Sequence, residues 1–168
     1  EVVRCAHCGF MMTQQAPVEA EIGSYYETPD YISHSDTRRG IMNQLYHAVR
    51  RYMLSRKAVL VERATKMKQG NLLDYGTGTG YFPHTMVGRG WHAKAIEKSA
   101  KAREFAHDHF SLEVEAEDAL ATYPDASFDV ITLWHVMEHL EQLNETWEHL
   151  HRLLAPRGVL VVAVPNYT

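Results

Sequence analysis

The stretch Asn71-Leu-Leu-Asp-Tyr-Gly-Thr-Gly-Thr-Gly80 constrains the fold of this chain more than any other. A short apolar run feeds glycines at 76, 78 and 80, so the backbone can turn sharply out of a strand and approach a ligand with no Cβ in between. The helix expected after the turn offers unpaired N–H groups at its start. A glycine turn of this kind also serves packing alone, so the motif needs a second signal. That signal is Glu97, an acid closing the next hydrophobic run about twenty residues past the glycines. At the carboxyl end of a second strand such a carboxylate holds a ribose diol, and the pair points to a nucleoside cofactor. The plainer role for Glu97 is a helix-capping acid.

The residues after Gly70 continue in strand and helix alternation. Strands are expected at Leu72–Tyr75, His92–Glu97, Leu112–Val114, Phe128–Trp134 and Val159–Val164, the last apolar throughout as if covered on both faces. Helices are expected at Tyr81–Val87, from a Ser99 N-cap through His109, and over Glu138–Leu154, broken by Pro156-Arg-Gly158. This rhythm predicts an α/β fold: a Rossmann-like, doubly wound, mostly parallel sheet of five strands with an N-terminal helical appendage. Upstream, residues 1–35 read as an appendage, with a short helix over Glu19–Tyr26. Residues 36–68 read as a helical cap or linker, with Ile41, Leu45, Val49, Tyr52 and Leu60 spaced for a buried stripe. Arg38, Arg39, Arg50, Arg51, Arg56, Lys57 and Arg63 would form its basic, solvated face. The core is expected over residues 69–168.

At 168 residues the chain supports one sizeable core, and its net charge of -4 disfavours nucleic acid as a partner. No run of eighteen apolar residues and no secretory leader occurs, so a cytoplasmic protein without membrane association is expected. The two cysteines, Cys5 and Cys8, have the spacing of a metal knuckle, where a tight turn aims both thiolates at one ion. They supply two ligands of the usual four, so half of a zinc site, surface thiols and a redox pair all remain open, with a missing pair expected upstream in a longer parent. The oligomeric state is not legible.

Asp74, two residues before the first glycine, separates two cofactor classes. An acid at the strand end attracts a cationic amine and repels a pyrophosphate, which favours an amino acid carried on the ribose over a nicotinamide dinucleotide. A turn acid receiving backbone N–H bonds is the plainer alternative.

The ordered segments 72–80, Ala-Ile-Glu (95–97), Glu-Asp-Ala (117–119), Phe-Asp-Val-Ile-Thr-Leu-Trp-His-Val-Met-Glu-His-Leu (128–140) and Leu-Leu-Ala-Pro-Arg-Gly-Val-Leu-Val-Val-Ala-Val-Pro-Asn (153–166) resemble the motifs of class I S-adenosylmethionine-dependent methyltransferases. The resemblance implies S-adenosylmethionine as cofactor, with Asp74 near the methionine amino group and Gly76, Gly78 and Gly80 along the ligand. It places Glu97 on the ribose hydroxyls, Asp118 and the Ala119 N–H at the adenine, and Trp134 and His135 at the methyl-transfer end. It further implies two more strands beyond the fifth. Cys5/Cys8, Tyr25-Tyr26 and Tyr31-Ile-Ser-His34 are similar to a bacterial subgroup with a cysteine knuckle and helical cap before the core. Tyr25, Tyr26, Tyr31 and His34 either form a lid that excludes water from the acceptor pocket or pack the appendage on the core.

The function expected is methyl transfer to an oxygen or nitrogen of a small-molecule acceptor. An in-line nucleophile is the main requirement. For a hydroxyl acceptor a base is needed, and His135 is the candidate, with packing as its plainer role. A nicotinamide-dependent oxidoreductase and a catalytically idle Rossmann-like binding domain remain the alternatives.

Overall fold

A computed structural model describes residues 2–9, 11–13, 41–140 and 142–166. The helix expected at Glu19–Tyr26 and the residues Tyr25, Tyr26, Tyr31 and His34 lie outside the described residues. The chain divides into two units, Glu1–Thr37 and Arg38–Thr168. In the first, β1 (Val2–Arg4) and β2 (Met11–Thr13) pair antiparallel as a small ribbon with Cys5 and Cys8 in its connection.

The second unit is a sheet of five parallel strands with helices on its faces. Its elements in chain order are α1 (Ile41–Thr65), β3 (Asn71–Tyr75), α2 (Tyr81–Val87), β4 (His92–Ile96), α3 (Ala100–Phe110), β5 (Val114–Glu115), β6 (Phe128–Trp134), α4 (Leu143–Leu153) and β7 (Leu154–Ala163). The spatial order is β5-β4-β3-β6-β7, and every pairing is parallel. The chain therefore runs outward from β3 through β4 to β5, then returns to build β6 on the other side. Such a reversal opens a crevice beyond the carboxyl ends of the central strands.

Side-chain alternation along β3 divides the core between two layers. Leu72 packs with Val130, Phe82, Met86, Trp91, Ala58 and Val61, under α1 and α2. Leu73 packs with Ile131, Leu133, Ile96, Leu120, Leu150 and Leu153, under α4 and the turn after β5. Ser99 caps α3, its hydroxyl accepting the Ala102 N–H at 3.4 Å.

Four local expectations need correction. The third strand, expected at Leu112–Val114, is Val114–Glu115. The helix expected from Glu138 begins at Leu143, because a 3-10 turn over Met137–His139 and an extended Leu140 come first. Pro156-Arg-Gly158 lies inside β7, where the register jumps from Leu154 to Val159 against only Phe128 to Val130, and Arg157 takes φ 72°. The last strand is at the edge of the described sheet and only half-buried, with Val162 and Val164 exposed, so it is not covered on both faces.

The stripe assigned to α1 also faces the wrong way. Leu45, Val49, Tyr52 and Leu60 are exposed, whereas Ala58 and Val61 are buried and Leu54 half-buried. Tyr52 and Leu54 sit about 200° apart on the helix, so the buried face is nearly opposite the expected one. Length explains why only the second half packs. A helix of 25 residues extends about 38 Å, against roughly 17–23 Å for strands of five to seven residues.

Glu62 anchors that second half. Its side chain is 5% exposed, accepts from Arg89 Nε at 2.7 Å and pairs with Lys68 Nζ at 3.0 Å, joining α1 to the end of α2. The Arg89 hydrogen bond holds the Glu62 carboxyl below its ordinary range, so its contribution is present above that range and is lost as pH falls through it. Arg89 is one-third exposed and Lys68 almost fully exposed, which reduces the Coulomb part. Glu62→Gln is expected to destabilise the fold by about 2 kcal/mol, seen as a Tm lowered by about 4–8 °C at pH 7 and by less at pH 4.

Candidate functional site

The crevice is lined by the ends of β3, β4 and β6. Asp74 is buried on the central strand, opposite Thr132 in the β6 register, and accepts the Thr132 hydroxyl at 2.6 Å. Burial raises its carboxyl to about 6, against the lowering effect of Thr132 and of the positive charge on Lys57. The nearby charge of Glu97 pushes the same way as burial.

The glycine loop closes over the end of β4. Gly76, Gly78 and Gly80 take φ of 72°, 59° and 80°, a region open to glycine at little cost. The Gly76 and Thr77 N–H groups both donate to the Ile96 carbonyl, at 2.8 and 3.0 Å, and the Gly80 N–H donates to Thr77 O at 3.3 Å. Gly78 donates to Glu97 Oε2 at 2.7 Å, while Ser99 N–H donates to Glu97 Oε1 at 2.9 Å. One buried carboxylate thus joins the loop to the start of α3. The glycines differ in what they accommodate. At Gly76 an added Cβ would collide with the Val136 methyls; at Gly80 it would meet Ala106 and Leu112, so Gly80 serves the packing of α2 on α3.

On the β5 side, Asp118 is exposed and the Ala119 N–H donates to Ala116 O at 3.1 Å within its own turn. The inward acid there is Glu117, which accepts the Tyr75 hydroxyl at 3.1 Å and ties the turn to the end of β3. On the β6 side, Trp134 is half-buried, edge-to-face with Phe82 at 5.4 Å, and its Nε1 is buried without a partner. His135 holds φ 59°, donates its N–H to Ala163 O at 2.8 Å, and places Nδ1 3.8 Å from Glu138 Oε1.

Lys57 was not singled out by sequence. Its half-buried ammonium reaches from α1 to 4.5 Å from the centre of the Trp134 ring and feels the charge of Asp74. Burial lowers its pKa. The one signal available was its place beside Ala58, on the turn of α1 that packs.

Cys5 and Cys8 are exposed free thiols, and Gly9 N–H donates to Cys5 O at 2.9 Å. Backbone N–H groups of Cys8 and then His7 hold the Cys5 thiol below its ordinary range. Among the described residues no cluster of three or more potential ligands could hold a metal ion.

These features test the cofactor classes. Gly76, Thr77, Gly78 and Gly80 already spend their N–H groups inside the protein, and two buried acids flank them, so a pyrophosphate on the loop would meet repulsion with those four amides engaged. A neutral nucleoside bearing a cationic amino acid meets neither obstacle.

The methyltransferase domain model matches residues 46–168. The chain belongs to the methyltransferase domain family. An enzyme named ubiquinone biosynthesis O-methyltransferase from Paraburkholderia phytofirmans is 33% identical over 102 residues, covering 56% of this chain and 44% of the relative. The chain thus spans less than half the length of the curated relatives it matches. A Methanococcus maripaludis protein, described as an S-adenosyl-L-methionine-dependent methyltransferase, superposes with TM-score 0.60 at 14% identity, over 77% of this chain and 67% of its own. The [4+2]-cyclase SpnF superposes with TM-score 0.53 at 27% identity, over 63% of this chain and 43% of its own. The domain is of the class I, S-adenosylmethionine-dependent methyltransferase fold, with the doubly wound parallel sheet of five strands expected from sequence.

At Gly76 the Val136 side chain fills the place a Cβ would take. Gly76→Ala is expected to cost about 2–4 kcal/mol from overpacking and a left-handed alanine together. Val136→Ala in that background should recover about half, measured by denaturant melts; full recovery would show that the collision, not the backbone, sets the cost.

Proposed function

We propose that this domain transfers a methyl group from S-adenosylmethionine to an oxygen of a small-molecule acceptor. The observation that carries the reading is the pair of buried acids, Asp74 and Glu97, around a glycine loop whose amides are engaged internally. In it Asp74 faces the methionine amino group and Glu97 takes the ribose hydroxyls through lone pairs not used by Gly78 and Ser99. Gly76 and Gly78 would bring bare backbone along the cofactor, and Gly80 supports them through α2. Asp118 would reach the adenine amino group from its exposed turn. The Ala119 N–H, which donates to Ala116 O, would have to exchange that acceptor for an adenine ring nitrogen.

The relatives' name as O-methyltransferases favours oxygen over nitrogen. When bound, the cofactor supplies an electrophilic methyl on a good leaving group, so the domain's own residues need only bind, orient and handle one proton. His135 would accept the acceptor's hydroxyl proton, and its left-handed backbone at the end of β6 fixes where the imidazole starts. Trp134 would border the transfer end. No described helix is long and apolar enough to cross a membrane, and we take the protein to be cytoplasmic.

The ribbon with Cys5 and Cys8 would be half of a structural zinc site, completed by two ligands from outside the described residues. Its support is the two-residue spacing and the backbone N–H groups that already favour the Cys5 thiolate. Elemental analysis of the intact protein is expected to find about one zinc per chain, lost in Cys8→Ser. Zinc-free protein of unchanged Tm would remove the proposal.

Calorimetry is expected to show S-adenosylhomocysteine binding, weakened at least tenfold by Glu97→Ala, and no tight NADH binding. Asp74 adds a sign that can be checked. Its carboxyl is protonated below about 6, so affinity for the ammonium-bearing ligand should fall about tenfold from pH 7 to pH 5, and Asp74→Asn should flatten that profile. In the free domain the same group favours stability fully below its unfolded value of 3.8, an advantage lost as pH rises through about 6. A pH-independent affinity in the wild type would place the ligand's amine elsewhere.

A further inference from the structure

The crevice contains one cation and one N–H donor that the reading above leaves unused. The Lys57 ammonium is half-buried, 4.5 Å from the centre of the Trp134 ring, and Trp134 Nε1 is buried with no acceptor among the described residues. Asp74 is the acid whose charge Lys57 feels, and one of its oxygens already takes the Thr132 hydroxyl. If the ammonium of the cofactor turns to Asp74, a single carboxylate must serve two ammonium groups, with a sulfonium beside them. Like charges a few ångströms apart in a partly dry site repel by several kcal/mol. A buried indole N–H without an acceptor adds about 1–3 kcal/mol. One species relieves both: an anionic oxygen brought in with the second substrate.

We propose that Lys57, with Trp134 Nε1, binds an anionic oxygen of the methyl acceptor, so that the acceptors are acidic small molecules, ionised phenols or carboxylates. This rests on the cofactor reading given above. Lys57 approaches from α1 over the end of β6, whereas Glu97 and Asp118 follow β4 and β5, on the far side of β3. The ribose and adenine would therefore lie away from Lys57 and the acceptor beside it. The charge balance is complete. An ionised phenol has already given its proton to His135 or to solvent; its oxygen forms the new C–O bond as the C–S bond breaks, and the sulfonium and phenolate charges cancel in a neutral ether and a neutral thioether. A carboxylate that anchors an acceptor at Lys57 keeps its charge while another oxygen of that acceptor loses its proton and takes the methyl.

The test uses the protein saturated with S-adenosylhomocysteine, titrated with benzoate and with neutral benzamide and followed by NMR. Benzoate is expected to bind at least fivefold more tightly. Lys57→Met should abolish that preference without weakening S-adenosylhomocysteine binding, and Lys57→Arg should retain it. Trp134→Phe, which keeps the ring and removes the N–H, should reduce it. Equal binding of the two probes by the wild type would overturn the proposal. So would a tenfold loss of S-adenosylhomocysteine affinity in Lys57→Met with 5′-methylthioadenosine affinity unchanged, because Lys57 would then serve the cofactor's own carboxylate. Failure of the wild type to bind S-adenosylhomocysteine would instead overturn the underlying cofactor reading. A thermal melt matching wild type is the folding control for each variant.

Discussion

The Glu97 carboxylate holds the candidate site together. Its two oxygens accept the Gly78 N–H from the glycine loop and the Ser99 N–H from the start of α3, so a single side chain fixes the separation between the turn after β3 and the helix after β4. Around that bridge the loop satisfies itself, with the Ile96 carbonyl taking both the Gly76 and Thr77 amides. A loop arranged this way is preorganised, and its four engaged amides and flanking acids disfavour phosphate. What it leaves available is carboxylate lone pairs, which recognise hydroxyls and amines.

Burying a second acid nearby would be costly without a purpose or a partner. Asp74 has the Thr132 hydroxyl and the charge of Lys57, yet it is still held at about 6, near neutrality. Two unit charges about 5 Å apart at an effective dielectric near 20 interact by about 3 kcal/mol, so a cationic ligand group there recovers much of what burial costs. The electrostatics thus bear directly on ligand class, whereas the fold does so only loosely. The same architecture is shared with a [4+2]-cyclase, and function has to be argued from the site.

Much of the α/β layout was legible because each strand in the core is short, β-branched or apolar, and stopped by glycine, proline or polar residues. Phe128–Trp134 and Tyr81–Val87 have the bounds their residues suggest. The convergence of Asp74 and Glu97 on the loop was also legible, since both close apolar runs that pair as neighbours. Three things were not. The stripe of α1 was read on the wrong face because Tyr52, Val49 and Leu45 outweigh Ala58 and Val61 in bulk, while the short sheet covers only the later turns. The start of α4 was misplaced because Met137–His139 carries helical spacing but forms one tight 3-10 turn. Lys57 was hidden in a run of basic residues that ordinarily face water, and only packing shows which of them turns inward.

A crystal structure of the protein with S-adenosylhomocysteine tests the central claim most directly. The account predicts both ribose hydroxyls within hydrogen-bond distance of Glu97, the homocysteine amino group on the Asp74 side, and the thioether sulfur facing Trp134 and His135. An adenosyl group bound away from Glu97, or a crevice that stays empty of ligand at saturating concentration, would contradict it.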